Sequence, residues 1–396
     1  MIARFLSPCL AGLVLVVAPL EHTQARPPAD LKKEIAVIQA VGSEGSGNAE
    51  AAVAFRSLSQ ARASALLPLL RAIEPSNRIA RNWLRSAVEV IVERELAEKK
   101  PLPFADLKTF LSDRTQAPEA RRLAFDLMLA IDRGTSETLV PGFLDDPSTE
   151  LRRDAVALLI TEGSKQLAQE AGNPAAVTYR KALHAARDVD QIQEIAKALT
   201  DLKQQVDLPR HFGFLTDWQI IGPFHNTDRK GFGEEFPPEK KIDLKARHPG
   251  KESEVKWQAL TTSDPYGKVD LNKPYGKLKE VTGYAYHEFE STEAQPAELR
   301  LGCKNAWKVW LNGKLLFSRD EYHRGQRIDQ YKMPAQLEKG TNSILIKLCQ
   351  NEQKEDWTVE WEFQLRVCDA TGTAIPAANR PKSALKKPLQ NQFTFP

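Results

Sequence analysis

Cysteine is scarce: the chain has 4 in 396 residues, at positions 9, 303, 349 and 368. So low a count excludes a disulfide-dense scaffold. The spacings contain no C-x-x-C and no C-x-x-C-H, so neither zinc binding nor haem attachment is expected. A charge excess of one sign is also missing, with Lys plus Arg at 55 against Asp plus Glu at 52, a net +3. Nucleic-acid-binding domains usually carry a basic face, and nothing in this balance suggests one. Catalytic motifs are missing too: no G-x-S-x-G, P-loop, H-E-x-x-H or G-x-G-x-x-G after a strand occurs. The expectation is a protein that is not an enzyme and takes no cofactor, metal or nucleic acid.

What is present first is a leader. "MIARFLSPCLAGLVLVVAPLEHTQARPPAD" has one early Arg, an apolar run from Phe5 to Leu20 and a polar stretch ending at Ala25. Residues 1–25 therefore read as a secretory signal peptide. The run is shorter than the roughly 20 residues of a membrane helix, so no span is expected after its removal. Pro8 stands where a lipoprotein box wants a small residue, which argues against lipidation at Cys9. Losing residues 1–25 removes Arg4 and Glu21 and leaves the net charge unchanged. A periplasmic or extracellular location would permit one disulfide among Cys303, Cys349 and Cys368 and leave one thiol over. Alternatively, all three serve as small buried apolar residues.

The length suggests two domains, and the grammar of the chain changes once. Residues 30–205 are helical and repeat. In "IARNWLRSAVEVI", Ala80, Leu84, Ala87, Val88 and Ile91 share one helical face. In "EARRLAFDLMLAI", Ala120, Ala124, Leu127, Met128 and Ile131 take the same slots, as do Leu151, Ala155, Leu158 and Leu159 in "ELRRDAVALLITE". Arg81, Arg121 and Arg152 follow the first slot and are expected to face solvent. A short apolar helix precedes each one, with Pro68 and Pro141 in equivalent places, and Asp146 before Pro147 reads as an N-cap. No such pair can bury its own apolar face, so the pairs must stack. "LVPGFLDDPSTELRRDAVALLITEG" resembles a HEAT repeat, and the two earlier segments resemble diverged copies. That resemblance implies an armadillo-type solenoid that binds a protein partner.

Residues 210–372 read as short strands. "WKVWLNGKLLF" is a hairpin with Trp307, Val309 and Leu311 on one face and an Asn312-Gly313 turn. In "WTVEWEFQLRVC", Trp357, Val359, Trp361, Phe363, Leu365 and Val367 alternate with polar residues, as in a strand with one buried and one wet face. "DWQIIGPFHN" reads as an entry strand ended by Gly222-Pro223. Together with "AELRLGCKNAWKVWLNGKLLF" and "LEKGTNSILIKLCQN", these segments resemble a galactose-binding-like jelly roll, an antiparallel β-sandwich. The overall class is thus α plus β in separate domains. Sugar-binding relatives carry acidic residues just before the "VWLNG" strand, where this chain has Lys304-Asn305, so a calcium-assisted sugar site is not implied. Residues 376–396, rich in Pro and Lys, read as a disordered tail.

Candidate ligand contacts cluster in "SRDEYHRGQRID", where Asp320, Glu321, Tyr322, His323 and Arg324 follow the hairpin in a loop at the sandwich rim. Trp310, Tyr266 and Tyr322 are the aromatics suited to stacking on a sugar ring. Residues 225–251 form a long loop expected to pack across the sandwich or against the helices. Three functions follow. The first is a non-catalytic scaffold whose solenoid binds a protein and whose sandwich docks on protein or glycan. The second is an accessory carbohydrate-binding protein of a polysaccharide-degrading system, favoured by an exposed aromatic at the rim. The third is a hydrolase with its site at the domain junction, which needs Asp320, Glu321 or His323 to converge with the 225–251 loop.

Overall fold

A computed structural model describes residues 28–380. The expected leader at 1–25 and most of the expected tail at 376–396 lie outside the described residues. The chain begins with helices and continues as antiparallel sheets, so it is a multidomain α plus β protein. By contacts it divides between Thr138 and Leu139 into two compact units. The division does not follow the change from helix to strand, because the last helices share their core with the sheet region.

The first unit contains α1 (Pro28–Gln39), α2 (Asn48–Leu58), α3 (Leu66–Arg71), α4 (Arg78–Ala97), α5 (Phe104–Ser112), α6 (Pro118–Ile131) and α7 (Arg133–Glu137). Consecutive helices pack as pairs, α1 on α2, α3 on α4 and α5 on α6. The apolar slots of α4 are all buried, as are Ala120, Ala124, Leu127 and Met128 of α6. Arg121 is an exception to the expected solvent-facing arginines. It is buried, and its Nε donates to the Leu111 carbonyl at 2.8 Å. The last carbonyls of a helix lack intrahelical donors, and the side chain supplies one to α5.

The second unit opens with α8 (Thr149–Ala168), α9 (Gly172–Ala185), α10 (Val189–Asp201) and α11 (Leu208–Phe212). Arg152 behaves like Arg121: it is buried, with Nε donating to the Asp146 carbonyl at 2.8 Å. Asp146 is not the N-cap. Its Oδ1 accepts from the Ser148 amide at 2.8 Å, and Ser148 caps a helix that starts two residues later than the Asp-Pro pair suggests. The apolar face of α8 is also turned: Val156 and Ile160 are buried while Leu158 is exposed. Gly163 is needed where α8 meets α9, since a Cβ there would lie 2.8 Å from the Tyr179 ring.

The strands are β1 (Asp217–His225), β2 (Arg247–Pro249), β3 (Glu254–Lys256), β4 (Gln258–Thr261), β5 (Val269–Asp270), β6 (Val281–Ser291), β7 (Gln295–Cys303), β8 (Ala306–Leu311), β9 (Lys314–Arg319), β10 (Tyr331–Leu337), β11 (Gly340–Gln350) and β12 (Glu362–Cys368). Six form a sheet in the order β4-β1-β6-β11-β8-β9, four a second in the order β10-β7-β12-β5, and β2 pairs with β3. All pairings are antiparallel. Side chains from both large sheets, among them Trp218, Trp307, Ile346, Leu301 and Phe363, close one core between them, joined by Trp361 from the loop before β12. Each such side chain contributes roughly 1.5–3 kcal/mol on burial. Asn312 and Gly313 both take positive φ, 52° and 76°, and turn β8 into β9 as the hairpin signature requires.

Three sequence expectations change here. β1 does not stop at Gly222-Pro223 but continues to His225 after a register shift. β12 starts at Glu362, so Trp357 lies outside it in a short 3₁₀ turn, Asp356–Thr358. The second face of β12 is not wet either. Gln364 and Arg366 are buried there, and Arg366 Nη1 donates to the Phe212 carbonyl at 3.1 Å. The core of α8–α11 runs on through Phe212 and Phe214 to that face, which a sequence pattern of one strand cannot reveal.

The 225–251 loop covers the outer face of the six-stranded sheet. Phe236 and Ile242 from the loop pack with Ile221, Phe224, Tyr284, Tyr286 and Leu345 from the strands. Past β12, Ile375 and Ala377 are buried in the sandwich core, so the chain stays on the sandwich to Arg380. Cys303, Cys349 and Cys368 are free and buried.

Candidate functional site

Antiparallel pairing brings several strand ends to one rim. His225 pairs with Val281, Val281 with Gln350, Cys349 with Ala306, Trp307 with Arg319, and Cys303 with Phe363. The loops leaving those ends, 226–236, 304–305, 320–330 and 351–361, therefore meet at the same place. Buried amides tie them together. Asn226 Nδ2 donates to the Gln350 carbonyl at 2.9 Å and to the Tyr322 hydroxyl at 3.1 Å. Asn305 Nδ2 donates to the Glu360 carbonyl at 3.1 Å, and Gln350 Nε2 to that of Thr358 at 2.9 Å. A buried amide without partners costs free energy, whereas these bonds fix loop positions.

Two features stand on this frame. The first is Trp357, whose exposure of 59% is high for so large an apolar residue. Its ring meets that of His323 edge-on, with centroids 5.3 Å apart and planes at 85°. His323 is itself fixed. Its Nε2 lies 2.9 Å from Asn351 Oδ1, and since that oxygen only accepts, Nε2 carries the proton. Lys279 Nζ holds the turn beneath Trp357 by donating to the Thr358 carbonyl at 2.8 Å. The second feature is an exposed ion pair in which Arg229 Nε lies 3.1 Å from Glu352 Oε2. The Arg229 guanidinium also lies over the Tyr322 ring, 5.4 Å from its centroid. Arg229 holds the Glu352 carboxyl below its usual range, and burial raises the Tyr322 hydroxyl. The chemistry offered is an aromatic face beside an exposed charge pair, suited to holding a hydroxylated ring.

The residues expected from sequence fall in three places. Asp320, Glu321, Tyr322, His323 and Arg324 lie at this rim. Glu321 is within 3.8 Å of Arg319 and 3.5 Å of Arg324, and Asp320 is exposed. Trp310 lies on the outer face of the six-stranded sheet beside Ile242, Tyr286 and Leu345. Tyr266 packs against Phe212, with centroids 6.2 Å apart, in the helical core of the second unit. Neither reaches the rim. Where an acidic pair would bind calcium, Lys304 forms an ion pair with Glu360.

Trp357 escaped sequence reading because its alternation with Trp361 and Phe363 imitates a strand. The signal against a strand was the preceding "NEQKED", a polar run from Asn351 to Asp356 that reads as a loop.

No family model matches the chain, and no curated protein matches it. Solved structures give partial likenesses only. A β-glucosidase from Kluyveromyces marxianus in complex with glucose is 13% identical with a TM-score of 0.19, over 23% of this chain and 11% of that one. A family 35 carbohydrate binding module from Clostridium thermocellum is 13% identical with a TM-score of 0.17, over 22% of this chain and 72% of that one. An α-xylosidase from Xanthomonas citri is 10% identical with a TM-score of 0.19, over 39% of this chain and 16% of that one. The chain thus spans a small part of the two enzymes. At such scores the likenesses assign neither fold family nor function.

Proposed function

We propose that the protein is an exported, non-catalytic binding protein whose sandwich, a galactose-binding-like jelly roll, holds a glycan at the loop rim around Trp357. Its helical part, read as HEAT-like helix pairs, holds a protein partner. A periplasmic or extracellular location goes with the leader-like residues 1–25.

The observation that carries the glycan reading is the exposed Trp357 ring held against His323. An exposed indole offers an apolar face to the C–H side of a pyranose, while the exposed Arg229–Glu352 pair can meet its hydroxyls. A rim without an exposed aromatic would have favoured docking on protein alone. The test is a glycan array probed with the full-length protein, with and without calcium, beside Trp357→Ala. Reproducible binding lost in the variant and indifferent to calcium supports the reading. Absence of binding to every glycan removes the glycan reading and leaves protein docking.

A further inference from the structure

At the end of the sandwich away from Trp357, a cavity of about 170 Å³ lies between the residues entering β1, the far half of β6 and the segment 375–380. Phe214, Leu215, Phe289, Ile375 and Ala377 line it, all of them buried. His287 also lines it, from the same face of β6 as Ala285 and Phe289. The imidazole Nδ1 lies 2.7 Å from the Asp217 carbonyl. A carbonyl only accepts, so Nδ1 carries the proton and Nε2 presents a lone pair. Burial holds this histidine below its ordinary pKa, which keeps that tautomer neutral near pH 7. Among the described residues Nε2 is buried and has no hydrogen-bond partner.

Thr216, Asp217, Asn379 and Arg380 are the other polar residues that line the cavity. The Thr216 hydroxyl donates to Asp217 Oδ2 at 3.1 Å, Asn379 Nδ2 donates to the Glu288 carbonyl at 2.8 Å, and Asn379 Oδ1 accepts from the Glu290 amide at 3.3 Å. What remains is a largely apolar chamber, bordered by Arg380, with one unmet acceptor, His287 Nε2. A buried acceptor without a donor is costly, so it calls for an occupant. Apolar cavities of about 150 Å³ are known to take a benzene ring. We propose that this cavity is a binding site for a small aromatic alcohol, a phenol-class molecule whose ring fills the apolar chamber and whose hydroxyl donates to His287 Nε2. The site is separate from the Trp357 rim, and neither proposal depends on the other.

Phenol and toluene, titrated into the full-length protein by ligand-observed NMR, test this, with the His287 ring-nitrogen resonances followed in parallel. Saturable phenol binding that shifts Nε2 is expected. His287→Leu should weaken phenol at least about tenfold while leaving toluene within about twofold, because only the hydroxyl loses its partner. Ala377→Phe, which keeps His287 and fills the chamber, should abolish binding of both. Thermal unfolding of each variant confirms that it is folded. The proposal is overturned by absence of saturable phenol binding, by phenol binding unchanged in His287→Leu, or by binding that survives in a folded Ala377→Phe. Binding seen only after deletion of residues 381–396 would give the cavity to the chain's own end and likewise overturn it.

Discussion

Lys347, wholly buried in β11, donates from Nζ to Glu239 Oε1 at 2.8 Å and so fastens the 225–251 loop to the outer face of the six-stranded sheet. The same ammonium donates to the Phe232 and Glu234 carbonyls, and Tyr284 donates its hydroxyl to Glu239. The rings of Phe236 and Tyr284 lie 5.1 Å and 5.7 Å from the ammonium. Three acceptors and two aromatic faces replace the water that Lys347 gives up.

Removing one member of such a pair leaves the other buried and unpaired. Lys347→Ala should therefore lose about 3–5 kcal/mol of unfolding free energy in urea, and Glu239→Leu about as much. The double variant Lys347→Met with Glu239→Leu should recover most of that loss, since an apolar pair has no desolvated charge. A double variant no more stable than the singles would show that packing of the loop, not the charge pair, sets the cost.

That pair also marks the limit of what the sequence reveals. The hairpin at Asn312-Gly313 was legible because two residues determine it locally. The core faces of β8 and α4 were legible because their periods, two and 3.6, are properties of one element. Arg121, Arg152 and Arg366 were not. Their burial depends on carbonyls of other segments, so each reads locally as a solvated charge. At the rim, Tyr322 and His323 were legible as a polar loop after a hairpin. Trp357 was hidden by an accidental alternation, and Asn226 and Arg229 by a separation of about 95 residues from Tyr322.

Trp357→Ala should leave stability within about 0.5 kcal/mol, since the side chain is more than half exposed. Any glycan bound at the rim should be lost with it. Asn226→Leu should do the opposite, lowering stability by about 1–3 kcal/mol through the unpaired Gln350 carbonyl while leaving Trp357 in place. Denaturant unfolding and binding on the same preparations separate the two roles.

The three thiols should be silent in the native protein. Burial pushes Cys303 up to about 12, and Cys349 and Cys368 to about 11. The thiolate is the reactive species, so an aromatic disulfide reagent should label none of them until the protein unfolds. Labelling of one thiol in the native state would show that its strand end opens.

His211 should make the second unit acid-sensitive. Burial lowers its pKa from the ordinary 6.5 to about 4, and the Arg187, Arg366 and His184 side chains around it act in the same direction, while the Ala186 backbone opposes them. A group depressed in the folded state binds its proton more readily when unfolded. Its contribution to stability is therefore complete above about pH 6.5 and is lost as pH falls towards 4. The difference amounts to about 3 kcal/mol across that window. Replacing His211 with Phe removes the titrating group and keeps a ring against Phe212. Unfolding free energies at pH 7, 5.5 and 4.5 should fall for the natural chain and fall less steeply for His211→Phe. Parallel slopes for the two proteins would assign the acid sensitivity to other groups.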